Sequence, residues 1–490
     1  MGILGGLSKK AYKINEIREN NPLPSLILDG GSLLFKTKRV TPGLAAKVKI
    51  TAKGIVDAYN VMGYHAFGIA RHDLAGGLAF LKEISNRAAF DLLSANVVYK
   101  STGKPVFTPK LVRNVGALSI GITGITESKK PFPFVDSDDA AILPWQEVLP
   151  DIVAQLSKTC DMIILLSNHN LMQNKEIVEK VPGIHIIIQS GANTTNLAPI
   201  KIDNTLIFQT AKQGKYLGWM KINWLDTHIW EDNTLKNELF LKKKEMDKLN
   251  RQHGFSRDPN STETRNDDID QTVKDRKERL LEEIMRLEVA IAQENKDRPA
   301  STYTNHFVAL DNFLPDNLQV FTIVEKTKHE VSKLEKKKAL QELFKRSSNQ
   351  DESARFGYTG WQFCARCHHT QAAFWKKTGH SNSYKTLSDK QQNFNLDCLP
   401  CHVTYDPGNK DVKLKDILSF PADLLTVGCE LCHGPGTFHN TDPAKQSMVP
   451  RPAEKICIRC HTPERDDNFI FQKDIKAVTC PPCIICPVDE

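Results

Sequence analysis

Apolar runs alternate with amphipathic stretches through the first half of the chain. Residues 25–31 (SLILDGG), 65–70 (HAFGIA), 90–98 (FDLLSANVV), 117–126 (ALSIGITGIT), 161–167 (DMIILLS) and 183–190 (GIHIIIQS) read as strands. Helical periodicity falls between them, near 44–62, 77–87 and 146–157. The alternation predicts an α/β sandwich. Residues 205–222 (TLIFQTAKQGKYLGWMKI) read as a hairpin with KQGK as its turn.

The pattern changes after about residue 231. Two highly charged helical segments follow, separated by the polar stretch 253–268, and an antiparallel helical hairpin is the simplest account. Leu280, Ile284, Leu287 and Ile291 recur at spacings of four and three, one apolar stripe on a solvated helix. A further helix is expected near 324–346, ending in the polar linker SSNQDES. Periodic segments then give way to turn residues. The expected organisation is 1–230 as the α/β domain, 231–300 as the charged hairpin, 301–355 as a return segment, helix and linker, and 356–490 as a loop-rich cofactor module.

A length of 490 residues suits two or three domains. No apolar stretch approaches the roughly 18 residues a membrane helix needs. The formal charge of +7 is modest and its lysines are scattered, so nucleic-acid binding gains no support.

Of twelve cysteines, only Cys160 lies outside the last part of the chain. Eight of them form four Cys-x-x-Cys-His motifs: Cys364/Cys367/His368, Cys398/Cys401/His402, Cys429/Cys432/His433 and Cys457/Cys460/His461. In this spacing two thiols add to the vinyl groups of one porphyrin, and the adjacent histidine reaches the iron as proximal ligand. Zinc knuckles also use Cys-x-x-Cys, but a histidine after every pair has no role in a tetrahedral zinc site. Four covalent haems of the c type are therefore expected, and the basic surplus would offset their propionates.

Three other histidines lie in the module. His380 and His439 are the candidate distal ligands; His369, next to a proximal ligand, is a weaker one, and Met448 or a histidine of the N-terminal region could also serve. An iron left without a second protein ligand would be open to a small molecule. Cys480, Cys483 and Cys486 have no following histidine, and a disulfide or metal binding is the alternative for them.

The segments around these motifs, FGYTGWQFCARCHHTQAAFWKKTGHSNSYKTL, LDCLPCHVTY, VGCELCHGPGTFH and ICIRCHTPE, resemble the cytochrome c-552/c-554-type tetrahaem family of nitrifying bacteria. The resemblance implies electron transfer among closely packed, mostly bis-histidine haems, with one high-spin haem in some members. It implies redox partner proteins and a periplasmic or extracellular location, with a role as a subunit of a respiratory complex also open. A secretion leader is then expected, and residues 1–20 do not read as one.

Residues 2–224 resemble the metallophosphoesterase domain of 5′-nucleotidases, through LGGLSKKAYKINEIREN, LILDGGSLLF, MGYHAFGIARHDLAGG, LLSANVV, GITGIT, MIILLSNHN and GIHIIIQSGANTT. That family holds two metals by acidic, Asn and His ligands. Carried over, the bridging Asp is Ser32, the Asn is Arg71, and the late histidines are Gly191 and Asn193. His72, Asp73 and Asp29 keep family-like identities, and His169 is out of register by one. The resemblance thus implies a degenerate domain, without a divalent metal and without hydrolysis, and a retained phosphoesterase activity is the alternative.

Overall fold

The computed structural model describes residues 4–129, 139–191, 195–231, 271–293, 299–344 and 357–482. It adds scattered residues between 235 and 250, and the last stretch has short gaps at 396, 406–416, 418–419, 438, 440–447, 464 and 467. Cys483 and Cys486, the polar stretch 253–268 and the linker after 344 lie outside the described residues.

Among the described residues the N-terminal part holds a three-stranded sheet, a six-stranded sheet and two two-stranded ones. β1 (Leu28–Asp29), β2 (Ala66–Gly68) and β3 (Asp91–Leu93) pair in parallel. β4 (Val97–Val98) pairs antiparallel with β7 (Ala141–Ile142). The larger sheet runs in the order β10-β11-β9-β8-β6-β5, built from β5 (Lys110–Val115), β6 (Leu118–Ile125), β8 (Met162–Ser167), β9 (Ile186–Gln189), β10 (Leu197–Ile202) and β11 (Thr205–Gln209). Its four central strands are parallel and its two edges antiparallel.

The layers follow from the period-two alternation of strand side chains. Every residue of β8 is buried. Met162, Ile164 and Leu166 face Ala66, Leu93 and Ile122 between the sheets. Ile163 and Leu165 face the other way, against α4 (Leu149–Leu156) and α5 (Leu171–Lys180). A strand covered on both faces reads as an unbroken apolar run, as MIILLS does. Each such buried aliphatic side chain contributes about 1.5–3 kcal/mol. On the outer face of the small sheet, α1 (Leu7–Asn20), α2 (Pro42–Met62) and α3 (Leu78–Arg87) bury Ile14, Tyr59, Met62 and Leu81. The result is helix, sheet, sheet, helix.

The expected hairpin over 205–222 does not form. β11 inserts beside β9, and β12 (Tyr216–Asn223) pairs over its whole length with β13 (Thr302–Ala309). The KQGK turn therefore joins two different sheets. β11 is mostly buried and β12 mostly half-buried, so each suits a different partner.

Beyond it, α6 (Gln271–Gln293) packs Leu280 and Ile284 on Met246 and Leu249. Lys242–Glu283, Lys243–Glu288 and Arg276–Glu245 ion pairs flank that seam. They are largely solvated, and such pairs are worth about 0–1 kcal/mol each. α7 (Leu318–Phe344) starts earlier than its periodicity suggests and lies along α1 and α2.

The C-terminal module consists of short helices and turns, with no strand among its described residues. Its small aliphatic core gathers Tyr358, Leu387, Leu399, Val403 and Leu424. Glu430, almost fully buried, accepts backbone N–H groups from Thr359 (2.9 Å), Gly360 (2.8 Å) and Gly436 (2.8 Å), tying two loops to one carboxylate. The module docks on α2 and α7. Lys47 bridges Glu335 at 2.8 Å and Asp397 at 2.7 Å, next to Cys398, and His329 bonds Gln391 at 2.8 Å.

Candidate haem sites and the N-terminal cleft

Each Cys-x-x-Cys-His motif lies on or beside a short helical turn. The His368 N–H donates to the Cys364 carbonyl and the His461 N–H to the Cys457 carbonyl, both at 2.9 Å. Leu399–His402 and Cys429–His433 are helical as well. Positions i, i+3 and i+4 of a helical turn share one face, so both thiols and the imidazole point the same way. The motifs also approach in pairs, with thiol contacts between Cys364 and Cys429 and between Cys401 and Cys460. Every described cysteine, Cys480 included, is free.

Cys367 departs from the other motif cysteines. The motif predicts it beside Cys364 as the second tether of one haem, but the structure leaves it exposed, whereas Cys364 and the six cysteines of the other motifs are half-buried. The reason lies in the helix that follows, His369–Trp375, which turns Ala372 and Trp375 inward and leaves the end of the motif at the surface. Cys367 is therefore not part of an enclosed pocket, and it would meet a vinyl group only at the solvent edge of a haem.

Three of the motif imidazoles are oriented through their inner nitrogens. His402 Nδ1 bonds the Ser383 carbonyl, His433 Nδ1 the Val449 carbonyl, and His461 Nδ1 the Asp466 carboxylate, each at 2.7 Å. A donor bond from Nδ1 fixes the tautomer that leaves the Nε2 lone pair for a metal. Asp466 is nearly buried, and nothing in the motif announced it.

Two proximal histidines face a second one. The His368 and His439 ring centroids are 6.3 Å apart, and those of His380 and His461 are 6.2 Å apart. An iron between two imidazoles would separate their centroids by about 6.2 Å, taking metal–nitrogen bonds of about 2.0 Å and about 1.1 Å from each nitrogen to its ring centre. The residues present therefore fit the group. Burial and then His461 hold the His380 pKa below its ordinary value, which favours the neutral, ligating form. His369 is exposed and, among the described residues, has no ring contact with a proximal histidine.

In the N-terminal half the family-like positions are otherwise engaged. Asp73 is fully buried and accepts four backbone N–H groups: Ser32 (2.8 Å) and Ala70 (2.9 Å) on Oδ2, Leu33 (2.9 Å) and Leu34 (2.8 Å) on Oδ1. Burial pushes its carboxyl up to about 6 against the pull of these donors. The loop it holds turns sharply, with Gly31 at φ 109° and Ser32 at φ 63°. A Cβ at Gly31 would collide with the Gly68 carbonyl.

Arg71 is buried and pairs with Glu127 at 3.4 Å. Asn168, beside His169, accepts the Glu127 N–H at 2.8 Å. His169 is 3% exposed, and burial pulls its pKa down to about 4. Asn193 lies outside the described residues. Among the described residues no group of three or more His, Cys, Asp or Glu could hold a metal ion.

One cavity of about 1890 Å³ joins the two halves. Asp29, Ser32, His72 and Gly191 line it from the N-terminal side, and Cys401, His402, Cys432, Cys457, Cys460 and His461 from the module. The N-terminal cleft and three Cys-x-x-Cys-His motifs open into the same space.

Residues 363–434, spanning the first three motifs, match the family model described as cytochrome c554 and c-prime. The chain joins a nucleotidase-like half to a cytochrome c554-like module. Cytochrome c-554 of Nitrosomonas europaea is 28% identical over 151 residues, 28% of this chain and 63% of that protein. Upstream, the snake venom 5′-nucleotidase of Gloydius brevicauda is 26% identical over 245 residues, 44% of this chain and 40% of that protein. The chain thus spans under half the length of the nucleotidase relatives it matches. A 5′-nucleotidase precursor from Thermus thermophilus superposes with a TM-score of 0.37 at 20% identity, over 50% of this chain and 54% of that one. No described helix is long and apolar enough to cross a membrane.

The sequence alone named His368, His402, His433 and His461 as candidates, and it also named His439 and His380, which lie opposite two of them. It missed the Nδ1 acceptors and Glu430, for which only the fold supplies the partner.

Proposed function

We propose that this chain is a periplasmic or extracellular electron-transfer cytochrome with four covalently bound haems, set beside an N-terminal domain that no longer hydrolyses phosphoesters. The facing imidazole pairs carry the reading: His368 with His439 and His461 with His380, each at the separation an iron between them requires. Haem supplies one-electron chemistry at its iron when bound. The chain's own residues tether it through the cysteine pairs, with Cys367 at the exposed edge of its haem. They aim the proximal imidazoles through Ser383, Val449 and Asp466, and close the second side with His380 and His439. Electrons would pass to and from soluble redox proteins, and assembly into a respiratory complex is compatible with this. The domain reading rests on Asp73 being saturated by backbone donors and on Arg71 standing as a buried cation where the related fold has a metal ligand.

A second reading has its own observation. Among the described residues no histidine ring faces His402 or His433. An iron with one side open would bind a small nitrogen or sulfur compound, a redox-enzyme role.

The test is expression with a secretion leader and a c-type maturation system, followed by haem per chain, reduced and oxidised spectra, metal content and phosphate release from a nucleotide. Four haems, wholly low-spin, without phosphate release are expected for a pure carrier. A high-spin fraction that binds cyanide or nitric oxide would shift the conclusion to the second reading. Absence of covalent haem would sink the electron-transfer reading, and stoichiometric divalent metal with hydrolysis would sink the inactive domain.

A further inference from the structure

Lys10, on α1, lines the shared cavity and is 8% exposed. Its Nζ lies 3.4 Å from the Tyr59 hydroxyl, which donates to Asp29 Oδ2 at 2.8 Å. Tyr64 stacks on Tyr59 with centroids 3.9 Å apart, and both phenols also line the cavity. Among the described residues no carboxylate forms an ion pair with Lys10. Burial works against its charge, but Tyr64 and Asp29 outweigh burial and hold its pKa above the ordinary lysine value. A lysine ammonium carries three N–H donors, of which Tyr59 and Tyr64 take two, so the third is left to an anion that enters the cavity.

The cavity supplies the context for that anion. Seven Lys and Arg side chains line it against three Asp, and two of those Asp are engaged, Asp29 by Tyr59 and Asp466 by His461. Thiols of three motifs, and the imidazoles of two of them, His402 and His461, open into the same space. A haem held there brings carboxylates with it.

We propose that Lys10, backed by Tyr59 and Tyr64, binds a propionate carboxylate of a haem tethered by the C-terminal motifs, so that the former hydrolase cleft serves as part of a haem pocket. This rests on the haem reading above. It gives the N-terminal half a redox role: a fixed cation beside a porphyrin stabilises the reduced state and raises the potential.

The test compares the full-length, haem-loaded wild type with Lys10→Met and Lys10→Arg by spectroelectrochemical titration, with inorganic phosphate binding measured by calorimetry on the same samples. The expected result is four haems in each protein, one midpoint potential lowered in Lys10→Met, and most of that shift recovered in Lys10→Arg. Unshifted potentials in a fully loaded Lys10→Met protein would overturn the proposal. Phosphate binding by wild type that disappears in Lys10→Met would also overturn it, making the anion a free oxyanion. Should Lys10→Met fail to fold, Tyr64→Phe keeps the stacked ring and removes the hydroxyl; a shift of one potential supports the site and none overturns it. A wild-type chain without covalent haem would instead sink the reading on which this one stands, a separable result.

Discussion

Asp73 is the residue whose removal tests the reading of the cleft most directly. Four backbone donors from this loop and its neighbour converge on one buried carboxylate. Asp73→Ala orphans all four. At about 1 kcal/mol each, the lower end for an unsatisfied donor because Ser32, Leu33 and Leu34 border the cavity, the loss is about 4 kcal/mol. Asp73→Asn is sharper. Its carbonyl can keep the Leu33 and Leu34 bonds, while its amide then meets the Ser32 and Ala70 N–H groups, so two bonds are lost and the cost is about 2 kcal/mol. Urea unfolding followed by far-UV circular dichroism measures both, with haem absorbance as a control that stays constant. Equal costs for the two variants, or costs below about 0.5 kcal/mol, would refute the accounting.

Three further outcomes are expected. Burial holds His169 and His185 near pKa 4, below the 6.5 of the unfolded chain, so the folded state resists protonation; stability is full above about 6.5 and falls by up to about 3 kcal/mol per group as pH drops towards 4. Urea midpoints at a series of pH values check this, and His169→Asn should flatten the slope. Lys47→Met removes the counter-ion of Glu335, whose side chain is 9% exposed, and should cost about 3 kcal/mol and speed hydrogen exchange in residues 391–397. Cys457→Ser with Cys460→Ser should lower covalent haem from four per chain to three, read by pyridine haemochrome absorbance, while the other motifs stay loaded.

The α/β order was legible because its central strands are buried on both faces, and nothing but a long apolar run satisfies that. β5 (KLVRNV) lies at an edge and is half exposed, and β10 contains a proline, so neither carries a clear period. The β12–β13 pairing escaped for a different reason: nearly eighty residues separate the partners, and local pattern says nothing about contacts that distant. The haem motifs lie at the opposite extreme. Their chemistry is confined to five consecutive residues, so all four could be found without the fold. Spacing alone could not tell the exposed Cys367 from its half-buried counterparts, because exposure depends on what packs over each turn. Histidines near the motifs could be counted, but that His380 faces His461 rather than the motif it follows depends on how the module closes. Lys10 and Tyr59 are legible only as a charged and an aromatic residue on separate helices.

On the proposed reading, the cleft holds its charged side chains in place without a metal. Carboxylates clustered for divalent ions repel one another once the ions are gone, and a domain that retained them all would be destabilised. If the resemblance holds position by position, Ser32 takes the place of one such carboxylate and removes its charge. Asp73 is neutralised by backbone dipoles, Asp29 by the Tyr59 hydroxyl and the nearby Lys10, and Glu127 by the buried Arg71 guanidinium. Each compensation is internal, so the loop around Gly31 and Ser32 keeps its shape without a ligand. On that reading a single return to the family residue would not rebuild a metal site: Arg71→Asn alone removes the cation paired with Glu127, and Ser32→Asp alone adds a carboxylate to a loop whose backbone N–H groups are already held by Asp73. The interlock explains how one surface can keep a hydrolase outline and still face the haem motifs as a cationic wall.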